Sequence, residues 1–151
     1  MIGAIWAAKL LALALPACQV LKPVEVRAVV GATVTIDRDQ SGPGDDDGSD
    51  FCAWKTPSGR FVILGLHPKA SAAAARAEYA ARLVEAFGGG PEAKTIAGVG
   101  DEAQYREYVG GLQGGVVVVR AGFVVFTLEG PMARDAILGL SNLVLARVGS
   151  H

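Results

Sequence analysis

The chain predicts an α+β fold, an antiparallel β-sheet flanked by helices in the order α-βββ-α-βββ-α. Three observations carry this reading. Strand-like stretches fall into two groups of three, a segment with helical spacing precedes, separates and follows them, and tight glycine-containing connections join neighbouring strands as hairpins. Hairpins require antiparallel neighbours, which sets this order apart from a parallel βαβ fold.

The elements follow in order. Met1 to Ala17 reads MIGAIWAAKLLALALPA, apolar except for Lys9, with small residues at Ala12, Ala14 and Ala17. This has the make-up of an export signal, so residues 1–17 are set apart as a signal peptide and residues 18–151 as a single α+β domain. A bilayer span wants roughly 20 apolar residues, and Lys9 interrupts this run. Leu21 to Val26 opens a short helix with Pro23 at its first position, Glu25 placed to reach back to the cap backbone, and Leu21 and Val26 spaced as a hydrophobic staple. Gly31 closes it. Thr33, Thr35 and Asp37 alternate with Val34 and Ile36, a half-buried first strand.

Asp39 to Asp50 reads DQSGPGDDDGSD and is expected to be an exposed acidic loop. Phe51 to Thr56 and Arg60 to Leu66 form the next two strands, joined through Pro57, Ser58 and Gly59. Ser71 caps a helix running to about Phe87, with Ala72, Ala75, Tyr79, Leu83 and Phe87 on one face and Glu78, Arg82 and Glu85 on the other. Arg76 falls inside that apolar stripe, where a partly buried guanidinium wants a carboxylate, a carbonyl or an anionic ligand. Beyond the stop at Gly88 to Pro91, Gly98-Val-Gly-Asp101 makes a turn before a strand at Gln104 to Val109 that carries Tyr105 and Tyr108. A hairpin of Gly115 to Arg120 and Phe123 to Glu129 is expected to turn on Ala121 and Gly122. Pro131 begins the last helix, its stripe made by Ala133, Ala136, Ile137, Leu140, Val144 and Val148. Four consecutive valines, Val116 to Val119, read as a strand covered on both faces, by the flanking helices or by a second subunit.

Composition narrows the function. With 151 residues, 51% apolar and 19% charged, the chain is too hydrophobic for a disordered tail and too short for two ordinary domains. Lys plus Arg number 14 against 15 Asp plus Glu, leaving no basic excess for nucleic acid to attract. Two Cys and two His fall short of zinc, iron–sulfur or haem ligand sets, so neither metal nor cofactor is expected. Asp45, Asp46, Asp47, Gly48 and Asp50 resemble a calcium loop, yet aligning Gly48 with the glycine of an EF-hand puts Pro43 and Trp54 at ligand positions. Gly98-Val-Gly-Asp-Glu-Ala103 fits a dinucleotide pattern in letters, but a strand rather than a helix follows it. Cys52 with His67 is the available thiol and base, His151 being terminal, and His67 precedes Pro68 in a simple turn context. No G-x-S-x-G elbow is present.

Cys18-Gln-Val-Leu-Lys-Pro-Val-Glu-Val-Arg-Ala-Val-Val-Gly31, then Cys52-Ala-Trp54, then Gly98-Val-Gly-Asp-Glu-Ala103 resemble the motifs of a bacterial family of secreted or lipid-anchored envelope proteins. The resemblance implies a fold similar to the Mog1 and PsbP group, a bond between Cys18 and Cys52, and a sensor or ligand-binding role without assigned catalysis. Leu15-Pro-Ala-Cys18 also looks like a lipobox, and a lipidated Cys18 could not form that bond. Disulfide, lipid anchor and two free thiols are therefore the alternatives at Cys18, with the disulfide favoured because lipidation leaves Cys52 unmatched. Trp54 is expected as core packing beside the bridge, or as a ligand-stacking ring. Asp101 is expected to bond backbone N–H groups nearby. Trp54, Arg76 and Asp101 are thus the candidate contacts of an exported, periplasmic or secreted domain that binds a small ligand or an envelope protein without transforming it. The alternatives are a structural or assembly component, oligomeric or held at the membrane through a lipid on Cys18, and an enzyme.

Overall fold

A computed structural model of the chain describes residues 15–45, 48–88 and 93–148. The export segment before residue 15, and Asp46 and Asp47 of the acidic stretch, lie outside these residues. Among the described residues, twelve elements and one short 3-10 turn build the fold. Helices α1 (Ala17–Val20) and α2 (Pro23–Val30) lead to β1 (Thr35–Ile36), β2 (Gly42–Pro43), β3 (Asp50–Lys55) and β4 (Phe61–Pro68). After α3 (Ala72–Phe87) come β5 (Lys94–Thr95), β6 (Glu102–Glu107), β7 (Gly115–Ala121), β8 (Val124–Gly130) and α4 (Arg134–Val148). All strands join one antiparallel sheet in the order β1-β3-β4-β8-β7-β6-β5, with β2 also on β3. The two halves meet where β4 pairs with β8, from Ile63 opposite Glu129 to Pro68 opposite Val124.

Alternation along the central strands divides the core in two. Val117, Val119, Phe126 and Leu128 face the layer formed by α1, α2 and α4, where Val20, Leu21, Val26, Ile137, Leu140 and Val144 are buried. Val118 and Val125 point the other way, against Ala75, Tyr79 and Phe87 of α3. The valine run is thus covered on both faces by the protein's own helices.

Local signals place most of these elements. Lys22 donates its backbone N–H to Glu25 Oε1 at 2.8 Å, the reach-back expected of a third-position acid, and Gly31 ends α2 at φ 75°. Ser71 Oγ caps α3 by accepting the N–H of Ala74 at 3.0 Å.

Several expectations differ. Each half carries a fourth, two-residue strand, because backbone pairing does not require apolar residues. Gly42–Pro43 pairs with Phe51 and Asp50, and Lys94–Thr95 pairs with Tyr105 and Gln104. The acidic stretch is consequently part of the sheet's margin, pinned by Ser41, whose Oγ accepts the Ala53 N–H at 3.0 Å and donates to the Asp37 carbonyl at 2.6 Å. The β7–β8 hairpin turns on Gly122 and Phe123, one residue later than expected, since Gly122 at φ 59° fits the first central position of a two-residue turn. The last helix starts at Arg134, three residues beyond Pro131.

Cys18 and Cys52 are joined in a disulfide that ties α1 to β3. With its sulfur so engaged, Cys18 offers no thiol for a lipid. Leu15 packs against the core and Ala17 is fully buried, its N–H donating to Asp50 Oδ2 at 2.6 Å. No helix among the described residues is long and apolar enough to cross a membrane.

Candidate functional site

A groove of about 540 Å³ opens where β5, β6 and the start of α4 come together, lined by Ala93, Lys94, Tyr105, Arg106, Glu107, Tyr108, Val109, Gly110 and Arg134. Register explains the convergence. Lys94 sits directly opposite Tyr105, which places both side chains on one face of the sheet with Cβ atoms about 5 Å apart. Arg134, the first residue of α4, holds its guanidinium 5.9 Å from the centre of the Tyr105 ring. The ring itself lies across Gly115: a Cβ there would stand 2.7 Å from both Tyr105 Cε2 and the Arg106 carbonyl oxygen. A glycine in β7 therefore seats the tyrosine of β6.

The neighbouring Tyr108 side chain is held from two sides. Its hydroxyl meets Glu129 Oε2 at 3.1 Å, Arg60 stands 5.8 Å from its ring centre, and Arg60 also donates to the Gln113 carbonyl at 2.8 Å, which fixes the following loop. Burial, then the Glu129 charge, pushes the Tyr108 hydroxyl well above the usual tyrosine range. Burial and Glu107 raise Tyr105 as well, with Arg134 opposing. Both phenols stay protonated in neutral solution. Arg106 lies along the far rim, 5.6 Å over the Phe87 ring and donating to the Phe87 carbonyl at 2.8 Å.

The residues singled out from the sequence are elsewhere. Trp54 is fully buried in the core beneath the N-terminal helices, which fits packing and not stacking on a ligand from solvent. Arg76 is exposed on α3, not partly buried, because the helix presents Ala75, Tyr79 and Ala86 to the sheet and turns position 76 outward. The sheet separates Trp54 from Arg76. Asp101 Oδ2 accepts the Gly122 N–H at 2.7 Å and faces Arg120 at 3.4 Å, bracing the β7–β8 turn. The same loop needs its glycine: at Gly100, φ 60°, a Cβ would meet the Arg120 carbonyl oxygen at 2.7 Å. Cys52 and His67 lie on opposite faces of the sheet, and the sulfur of Cys52 is spent in the disulfide.

The rotation of α3 creates a charged cluster that sequence reasoning missed. Glu78 faces His67 Nδ1 at 3.3 Å, Arg82 Nε at 3.2 Å and Lys69 Nζ at 3.5 Å, while Arg82 also pairs with Glu85. His67 is 2% exposed and packs edge-on against Phe51. The cluster joins α3 to β4. On the same helix, burial and the Glu102 charge raise the Tyr79 hydroxyl to about 12. Among the described residues, no three His, Cys, Asp or Glu side chains are grouped to hold a metal ion.

The groove left one sequence signal, the polar-aromatic pattern of Tyr105 and Tyr108. Its cations left none, since Lys94 reaches Tyr105 only through pairing and Arg134 only through the packing of α4. No protein-family model and no curated protein matches this chain.

Proposed function

We propose that the chain is an exported, non-catalytic binding domain, periplasmic or secreted, that receives its ligand in the groove between β5, β6 and α4. The observation that carries this reading is the groove itself: a concave site with one tyrosine on a sheet strand, a second just beyond that strand's end, and cationic side chains in its lining. Its ionisable lining, with both phenols kept protonated, suits holding a ligand rather than making or breaking bonds. The Cys18–Cys52 disulfide supports an oxidising compartment. Burial of Ala17 and packing of Leu15 support processing ahead of them, after Ala14, so that these residues remain with the domain. The family resemblance of the Cys-x-Trp and Gly-x-Gly-Asp motifs points the same way. Exposed Val109 and Leu112, at 63% and 62%, favour a second reading in which the groove end of the molecule docks on an envelope protein.

Native mass spectrometry of the protein isolated from its host's envelope fraction tests this. The expected species begins at Leu15, gains two hydrogens on reduction, and carries a small non-covalent adduct that a Tyr105→Ala substitution removes. A protein adduct in its place selects the second reading. Recovery from the cytosol with both thiols free, or a bare oxidised chain with no adduct of either kind, overturns the proposal.

A further inference from the structure

Resting on the reading of this groove as the binding site, we infer that its ligand is a small organic anion. Its oxyanion is held between Lys94 and Arg134, and its apolar body lies along Tyr108 and Val109.

Charge at the groove runs against that of the molecule. The chain as a whole has a formal charge of −1, yet the groove is lined by Lys94, Arg106 and Arg134 against Glu107 alone. The decisive point is which cations are already engaged. Arg82, Arg120 and Arg147 are each paired with carboxylates. Arg106 is turned onto Phe87. Among the described residues, Lys94 and Arg134 have no carboxylate within ion-pair distance, and they flank the same ring from two elements.

Backbone adds to side chain. Arg134 is the first residue of a 15-residue helix, so unpaired N–H groups and the positive end of the helix dipole lie at the same mouth. Asp135 in that first turn is exposed and is not part of the groove lining. A guanidinium offers a planar fork and an ammonium a compact charge, a combination suited to phosphate or carboxylate oxygens. Tyr108 and the exposed Val109 supply an apolar wall beside them. Neither a bare ion nor a neutral ring uses both halves of this lining.

The test is a titration of the oxidised full-length domain with phenyl phosphate, benzoate, inorganic phosphate and benzyl alcohol, followed by amide chemical shifts at low salt. Phenyl phosphate or benzoate is expected to move resonances at 94, 105–110 and 134, about tenfold more tightly than inorganic phosphate or benzyl alcohol, with preference between the two anions naming the headgroup. Arg134→Gln and Lys94→Gln should each weaken binding about tenfold, and Arg27→Gln, on the exposed side of α2, should leave it unchanged. Benzyl alcohol binding as tightly as the anions overturns the inference and leaves the groove reading standing. Inorganic phosphate binding as tightly as phenyl phosphate overturns the two-part ligand. Shifts at Arg27 equal to those at Arg134 show general charge attraction and also overturn it. Silence at all groove resonances with every probe counts against both readings.

Discussion

Glu25 performs two tasks with one carboxylate. It accepts the Lys22 N–H that opens α2, and it takes both prongs of the Arg147 guanidinium, at 2.7 and 2.6 Å, tying α2 to the end of α4. Arg147 also donates to the Val20 carbonyl at 2.6 Å. Hydrogen bonding from Arg147 is the main reason the Glu25 carboxyl falls from 4.5 to about 2, against the opposing effect of burial. A carboxyl depressed in the folded state contributes stability that is fully present above pH 4.5 and is lost as pH falls toward 2. Glu25→Gln should therefore cost about 1–2 kcal/mol near neutrality, less than the whole shift implies because the pair is partly open to water. Urea unfolding at a series of pH values should show the gap between wild type and variant closing across that window. A gap that stays constant would mean the ion pair contributes nothing beyond the shape of the side chain. The reach-back of Glu25 was legible in sequence, because a cap is a local pattern. Its partner was not, since Arg147 lies 122 residues away and only the packing of α4 beside α2 brings it there.

At the scale of elements, α3 shows where periodicity stops being sufficient. Spacing correctly gives a helix at positions 72–87 with Ala75, Tyr79 and Phe87 inward. A helical wheel does not, however, fix the angle at which a stripe meets a sheet, and small residues all round this helix leave that angle to the valines beneath. The structure rotates the stripe toward Ala75 and Ala86, so Arg76 goes to solvent while Glu78 and Arg82 come to the sheet's margin. The two extra strands follow the same logic: backbone pairing at Gly42–Pro43 and Lys94–Thr95 carries no side-chain signature. Glu78 is the sensitive point of this arrangement. Its side chain is 12% exposed, and it is the carboxylate that Lys69, His67 and Arg82 Nε share. Removing it in Glu78→Ala takes from Lys69 and Arg82 the carboxylate they share, leaving Arg82 its exposed partner Glu85, and should cost about 2 kcal/mol. Glu85→Ala removes an acid that is 67% exposed and should cost no more than about 0.5 kcal/mol. Equal effects in thermal unfolding would show that the Glu78 cluster is as solvated as an ordinary helix surface pair.

For the molecule as a whole, covalent and ionic ties together hold the N-terminal helices down. The disulfide fastens α1 to β3 across 34 residues of chain, and Arg147 fastens the α1–α2 junction to α4. In the chain-entropy account, closing a loop of that length stabilises by about 3–4 kcal/mol. The centre of the sheet does not depend on this link, because β4, β8 and β7 are paired on both edges and covered by α3 on one face and α4 on the other. A Cys18→Ala/Cys52→Ala double variant should accordingly fold, melt about 10 °C lower, and lose its hydrogen-exchange protection unevenly. Amides of residues 17–30 should open first, while those of 117–119 and 125–128 keep the protection of the global transition. Uniform loss across the chain would instead mean that the N-terminal layer and the sheet unfold as one unit, with the disulfide bracing the entire domain. The uneven outcome would leave the groove intact, since Lys94, Tyr105 and Arg134 rest on β5, β6 and α4. Anion binding should then survive reduction of the bridge, separating what the disulfide holds together from what the groove recognises.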